Sequence, residues 1–165
     1  MSALAIRAVE PSDYSDVRDL MATESVRMGT LQLPFPSETL WKKRLATEDE
    51  HLHKLAAILD GKVVGLVSLH REVSARRAHV ASIGLSVHPD VQRRGIGSAL
   101  LKAIMDLAFK WLQVKRIELD CFADNEAAIA LYKKHGFEIE GTKRQGAFRN
   151  GKFVDLLFMA TLSAE

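Results

Sequence analysis

Val87-His88-Pro89-Asp90-Val91-Gln92-Arg93-Arg94-Gly95-Ile96-Gly97-Ser98-Ala99-Leu100 links a predicted strand to the longest predicted helix of the chain. His88-Pro89 stops the strand, because proline brings no amide donor to a ladder. The helix that follows opens with amides that have no acceptor inside it. Gly95 and Gly97 let a bulky anion approach that backbone without a Cβ in the way. Arg93 and Arg94 add local positive charge, so the stretch reads as a cradle for phosphate. On the two glycines alone a second reading stays open, an unliganded turn whose glycines serve packing. Two nucleotide motifs are excluded by their chemistry. A Walker loop needs Gly-Lys-Ser/Thr, and the dinucleotide fingerprint needs a small residue where Leu100 stands.

Outward from the cradle, a strand runs from about His79 to Val87, and Gly95 to Trp111 forms a helix. Ile96, Leu100, Ile104, Leu107, Ala108 and Trp111 recur on it at helical spacing and are expected to bury one face. Upstream, His53 to Leu59, the Asp60-Gly61 turn and Val63 to Leu69 form a hairpin. Before it come a short strand around Leu4 to Val9, then a helix capped by Ser12 or Asp13. That helix carries Val17, Leu20 and Met21 and ends near Gly29. The Leu31-to-Pro36 segment is a loop, and Ser37 caps a second helix. Downstream, Arg116 to Phe122 is a strand, Asp124 to His135 a helix ended by Gly136, and Phe137 to Thr142 a strand. The Asn150-Gly151 turn closes a final hairpin. Such mixing of hairpins with helix crossovers predicts an α/β domain, one mixed sheet covered by helices.

The chain has 165 residues, the size of one compact domain, and we expect a single domain over residues 1–165. Hydrophobic residues at 47% and charged residues at 27% describe a globular chain rather than a disordered one. A formal charge of +2 without a run of Lys or Arg gives no general attraction to nucleic acid, so any anion site is local. The single Cys121 excludes an internal disulfide, and the six histidines have no zinc-site spacing, so no metal is expected. No stretch has the length of a membrane span and the start has no apolar leader, which fits a cytoplasmic protein. The oligomeric state stays open, a homodimer included.

Gln92-Arg93-Arg94-Gly95-Ile96-Gly97 resembles the Gln/Arg-x-x-Gly-x-Gly/Ala motif of the GNAT superfamily of N-acetyltransferases. Asn125-Glu126-Ala127-Ala128-Ile129-Ala130-Leu131-Tyr132-Lys133-Lys134-His135-Gly136-Phe137 resembles the family's second signature, at the usual distance behind the first. The order of elements is similar as well, so the resemblance covers essentially the whole chain. It implies a GNAT-like fold with a mixed, mostly antiparallel sheet splayed at the cofactor site and flanked by helices. It also implies acetyl-CoA as cosubstrate and acetyl transfer to a primary amine. The Thr30-Leu31-Gln32-Leu33-Pro34 loop and the Phe148-to-Asp155 hairpin are most similar to the bacterial YhhY-type acetyltransferases, whose suggested acceptors include amino acids.

The resemblance also assigns residues. The backbone of Leu85, Ser86 and Val87 pairs with the pantetheine arm of the cofactor, whose buried amides need partners. The amides from Gln92 through Arg93, Arg94, Gly95, Ile96 and Gly97 to Ser98 take the pyrophosphate. Asn125 bonds the pantetheine arm, or caps a helix, and both roles are compatible. Tyr132 protonates the departing thiolate, with ordinary burial as the alternative. The Leu85 amide polarises the thioester carbonyl. Many relatives carry a carboxylate base where this chain has Ala81. Ser82 could order a water there, and Glu72, His79, Glu118 and Asp120 are nearby polar alternatives; none is assigned. At pH 7.4 an α-amine titrating near 8 loses its proton for under roughly 1 kcal/mol, against about 4 for a lysine, so the missing carboxylate favours an α-amine. Cys121 is expected to be core rather than nucleophile. Phe35, Trp41 and the Pro-rich loop are pocket or core candidates. A protein N-terminal or lysine acetyltransferase and a non-catalytic acyl-CoA sensor are the alternatives to a small-molecule enzyme.

Overall fold

The computed structural model describes residues 3–164; Met1, Ser2 and Glu165, the ends of the expected domain, lie outside the described residues. The elements in chain order are β1 (Ala5–Ala8), α1 (Tyr14–Met21), α2 (Glu24–Gly29), α3 (Glu38–Ala46), β2 (Leu52–Leu59), β3 (Lys62–Arg71) and β4 (Val80–Val87). They continue with α4 (Ile96–Trp111), β5 (Arg116–Phe122), α5 (Glu126–Lys134), β6 (Glu138–Arg149) and β7 (Lys152–Leu162). The strands form one sheet in the order β1-β2-β3-β4-β5-β7-β6. Every neighbouring pair is antiparallel except β4 with β5. The tight turns at Asp60-Gly61 and Asn150-Gly151 have positive φ at both residues, as a primed hairpin turn requires.

Side chains alternate across β2, β3 and β4, and the two sets bury against different helices. Ala57, Val67, Leu69 and Ala81 pack with Leu100, Leu101 and Ile104 of α4 and with Tyr132 of α5. Ala56 and Leu66, on the opposite face, pack with Val17, Leu20 and Met21 of α1, Val26 of α2 and Trp41 of α3. Full burial of a Leu or Ile contributes roughly 1.5–3 kcal/mol, so α4 is anchored firmly by three such residues. Gly65 lies under this helix. A Cβ there would stand 2.9 Å from Leu100 Cδ1, so the glycine is the notch that lets α4 approach β3.

Three expectations are corrected. The helix expected to reach Gly29 breaks at Thr23, which is extended (φ −69°, ψ 144°) and donates its hydroxyl to the Leu20 carbonyl at 2.8 Å. Local side-chain bonding of this kind competes with helix continuation. Trp111 is 79% exposed because the buried face of α4 is completed by Leu101 and ends at Ala108. The strand expected over Phe137 to Thr142 starts at Glu138 and runs on to Arg149, with register shifts past Ile139 and Lys143, while Phe137 is buried in the core.

Candidate active site

The loop between β4 and α4 is set by two left-handed residues, Arg93 (φ 63°) and Gly95 (φ 80°). Pro89–Val91 form a 3-10 turn, and Gln92 Nε2 donates to the Val87 carbonyl at 3.3 Å, tying the loop to the strand end. The first intrahelical bond of α4 runs from the Ala99 amide to the Gly95 carbonyl at 3.0 Å. The amides of Ile96, Gly97 and Ser98 therefore precede the ladder and have no helical acceptor. The two glycines serve different ends. A Cβ on Gly95 would meet nothing within 4 Å, so its requirement is conformational. A Cβ on Gly97 would stand 3.2 Å from Leu131 Cδ2, so its requirement is the packing of α4 on α5. Ser98 Oγ lies 3.1 Å from His135 Nε2, and burial followed by the Lys134 charge lowers the His135 pKa.

β4 and β5 share three register positions, Val80↔Arg116, Ala81↔Ile117 and Ser82↔Glu118, and then part. On the other side β4 stays paired with β3 up to Val87. The Glu72 amide bonds the Val80 carbonyl at 2.9 Å and the His88 amide bonds the Val64 carbonyl at 2.8 Å. With no register shift between these two bonds, even-numbered residues of β4 turn their backbone groups to β3. The Ile83 amide serves the last bridge, Ser82↔Glu118; beyond it Leu85 and Val87 turn their backbone groups into the gap, and the Ser86 backbone faces β3. The gap is thus an edge with unpaired amides inside the sheet.

A cavity of about 750 Å³ lies on the α1–α3 face and reaches the gap. Ser82, Gly84 and Ser86 of β4 floor it, and Ile83, Leu85, Leu119 and Tyr132 line it at the parting strands. Tyr132 belongs to the core of the opposite face, so the parted strands open an aperture through the sheet. Its ring meets Phe137 edge-on, with centroids 5.6 Å apart. Burial first, and then Cys121, push the Tyr132 hydroxyl well above the usual phenol range, so it stays protonated at neutral pH. The neighbouring Cys121 thiol is pushed up to about 11 by burial and then by Asp124. Asn125 caps α5, its Oδ1 accepting from the Ala128 amide at 3.2 Å. Its Nδ2 lies 3.4 Å from where a Cβ on Gly29 would be.

Ala81, at the position where a carboxylate would be sought, is fully buried. The carboxylates that line the cavity near the gap are engaged. Glu118 pairs with Arg77 at 3.1 Å and Arg116 at 2.9 Å, and Asp120 pairs with Lys143 at 2.9 Å. Ser82 lines the cavity beside them, Glu72 reaches Arg77 at 3.9 Å, and the His79 carbonyl accepts from the Lys115 amide. Trp41 is both core and cavity wall, whereas Phe35 is 98% exposed and lines no part of it. Sequence reasoning missed Arg44, Lys54 and Ser68 on the wall. It also missed Arg149, which donates to the Met28 carbonyl at 3.1 Å, pairs with Asp124 and covers the Phe122 ring at 4.7 Å. These residues stand far apart in the chain and share no motif, so the only signal was strand alternation at Lys54 and Ser68.

Among the described residues no group of three or more His, Cys, Asp or Glu is placed to hold a metal ion, and no helix is long and apolar enough to cross a membrane. A profile described as the acetyltransferase (GNAT) family matches residues 17–137. The chain belongs to the GNAT acetyltransferase family. Within it, the L-amino acid N-acetyltransferase AaaT of Escherichia coli K12 is 43% identical over 160 residues, covering 97% of this chain and 98% of the relative. This agrees with the YhhY-type resemblance. The crystal structure of a GNAT acetyltransferase from Streptococcus pneumoniae superposes with a TM-score of 0.86 at 27% identity, over 98% of this chain and 100% of the other. A spermidine N-acetyltransferase from Vibrio cholerae, solved with CoA and spermine, gives 0.83 at 25% identity over 96% and 95%. The open, seven-stranded GNAT sheet is therefore the fold of this N-acetyltransferase, and its parted strands are the expected splay.

Proposed function

We propose that this GNAT enzyme transfers the acetyl group of acetyl-CoA to the α-amine of a small amino acid by direct attack in a ternary complex. The observation that carries the reading is the aperture, where unpaired β4 backbone and the Tyr132 ring face one cavity. The amino-acid acceptor rests on the 43% likeness to the E. coli L-amino acid enzyme over nearly the whole chain.

In this reading the pantetheine arm enters the gap and pairs with the Leu85 and Val87 backbone. Ser86, bonded to β3 through its backbone, contributes its side chain at the cavity wall, and the Asn125 Nδ2 remains available to the arm. The pyrophosphate meets the amides from Gln92 to Ser98, and Arg93 and Arg94 screen its charge. The amine nitrogen attacks the thioester carbon, the Leu85 amide receives the developing oxyanion, and the C–S bond breaks as the new C–N bond remains. Tyr132 gives its proton to the sulfur, the nitrogen proton leaves to water, and the phenolate takes a proton back from water to restore the enzyme. Burial keeps the Tyr132 phenol protonated, so its proton is in place when the departing thiolate forms in the same desolvated surroundings. Because Glu118 and Asp120 are committed to ion pairs, the acceptor attacks as the neutral amine drawn from solution.

Release of CoA thiol over a panel of amino acids, polyamines and peptides tests the reading. Turnover greatest with free amino acids supports it. Tight acetyl-CoA binding without turnover on any amine would make the chain a sensor and overturn it.

A further inference from the structure

We infer that Arg44 and Lys54 form the subsite that reads the carboxylate of the acceptor, an inference that rests on the amino-acid reading above and gives it a structural basis. Six charged side chains line the cavity: Arg44, Asp49, Lys54, Glu118, Asp120 and Lys143. Four of them are engaged. Glu118 is held by Arg77 and Arg116, Asp120 by Lys143, and Asp49 accepts from the His51 amide at 2.9 Å and stands 4.0 Å from His70. Arg44 and Lys54 have no carboxylate within ion-pair distance among the described residues. Two cations facing one cavity without a counter-ion are an arrangement that an anionic ligand relieves.

Their placement suits a small zwitterion. Lys54 is opposite Ser68 on β3, and Ser68 is opposite Gly84 on β4. Lys54 therefore stands two strand spacings, about 10 Å, from the β4 backbone that borders the gap. Between them the floor carries only the Ser68 hydroxymethyl and no side chain at Gly84, which leaves room for a ligand. The Arg44 guanidinium lies over the Trp41 ring at 4.9 Å, a cation–π contact that holds it at the cavity wall without neutralising its charge. The buried Trp41 Nε1 has no hydrogen-bond partner, one more unmatched donor in the same wall. Burial, and then the Arg44 charge, lower the Lys54 pKa, as expected of a half-buried ammonium next to an unneutralised cation.

The test compares Arg44→Gln, Lys54→Gln and the double variant with the unmodified enzyme on matched acceptors. These are alanine, leucine and phenylalanine, each with its α-carboxamide and its decarboxylated amine. The unmodified enzyme should prefer the acids. The double variant should lose roughly tenfold or more in kcat/KM on the acids, through KM, and change little on the carboxamides. Arg44→Lys should recover part of the loss, and acetyl-CoA affinity by calorimetry should be unchanged in every variant. If the unmodified enzyme prefers the decarboxylated amines or ignores the acids, the amino-acid reading fails and this inference with it. If it prefers the acids but the variants lose acids and carboxamides equally, or lose neither, this inference alone is overturned.

Discussion

The two walls of the site are made of different material. The wall that runs from β4 through the Gln92–Ser98 loop into α4 works through backbone: amides at Leu85 and Val87 turned into the gap, a left-handed Gly95, and the free first turn of a helix. The wall formed by α2, α3, β2 and the β6–β7 hairpin works through side chains from segments far apart in sequence, among them Arg44, Lys54 and Lys143, while Arg149 ties the Met28 carbonyl next to the lining residue Gly29. A backbone site needs a contiguous run of residues with the right conformational freedom. A side-chain site needs only that distant positions meet after folding. The first wall suits the constant part of the reaction, the CoA arm, and the second suits whatever acceptor the enzyme takes.

The sharpest way to break that division is at Tyr132, where the walls meet. Tyr132→Phe keeps the edge-on contact with Phe137 and deletes the proton donor. It should lower kcat by about 10²–10⁴-fold with acetyl-CoA affinity nearly unchanged. A loss under roughly threefold would make Tyr132 structural. The next effect belongs to the backbone wall alone. Gly95→Val places a β-branched residue at φ 80° where nothing crowds its Cβ, so the fold should survive while the loop is strained. The strain of about 1–2 kcal/mol should weaken acetyl-CoA binding by roughly fivefold to thirtyfold by calorimetry. Unchanged affinity would remove the phosphate-loop assignment.

The side-chain wall predicts the opposite pattern. Arg149→Ala releases the Met28 carbonyl and Asp124, which join α2 and the β5–α5 turn to the hairpin. It should raise KM for the amine by roughly fivefold to tenfold, the scale of one ordinary net hydrogen bond, with acetyl-CoA affinity within about twofold. Equal losses for both substrates would erase the distinction between the walls. The smallest effect is expected at Cys121. Cys121→Ala should leave turnover within about twofold, because the buried thiol carries no acyl group. Its signature is in stability. The folded thiol titrates at about 11 against an ordinary 9.0, so its contribution is fully present below pH 9 and is lost as pH rises toward 11. Denaturation midpoints from pH 8 to 11 should fall in the parent and fall less steeply in the variant.

The same contrast explains what could be read from the sequence. The hairpins, α4 and the order of elements along the chain came from local signals: Asp60-Gly61, Asn150-Gly151 and apolar periodicity, while the two motifs carrying Gln92–Gly97 and Asn125–Phe137 pointed to the family. Gly95 and Gly97 were read as clearances for phosphate, and the structure adds a separate need at each. At Gly95 it is conformational and at Gly97 it is packing, and only the position of Leu131 and the backbone angles separate the two. The Thr23 break depended on a hydroxyl-to-carbonyl bond that no periodicity reports. Trp111 sat in helical register with the buried positions, but the buried face of α4 ends at Ala108, one turn before it, so it is exposed. Arg149 and the Arg44–Lys54 pair were invisible because their significance lies in what other segments bring near them.

The central claim, that an amino acid rather than a protein side chain fills the side-chain wall, is tested most directly by one comparison. kcat/KM is measured for a free amino acid and for an Nα-blocked lysine peptide from pH 7 to 9. The account predicts higher efficiency for the amino acid at pH 7. It also predicts a rise of up to about tenfold per pH unit for the peptide, as the neutral fraction of its amine grows without a base in the site. Higher efficiency for the peptide at pH 7 would contradict the account and move the function to protein modification.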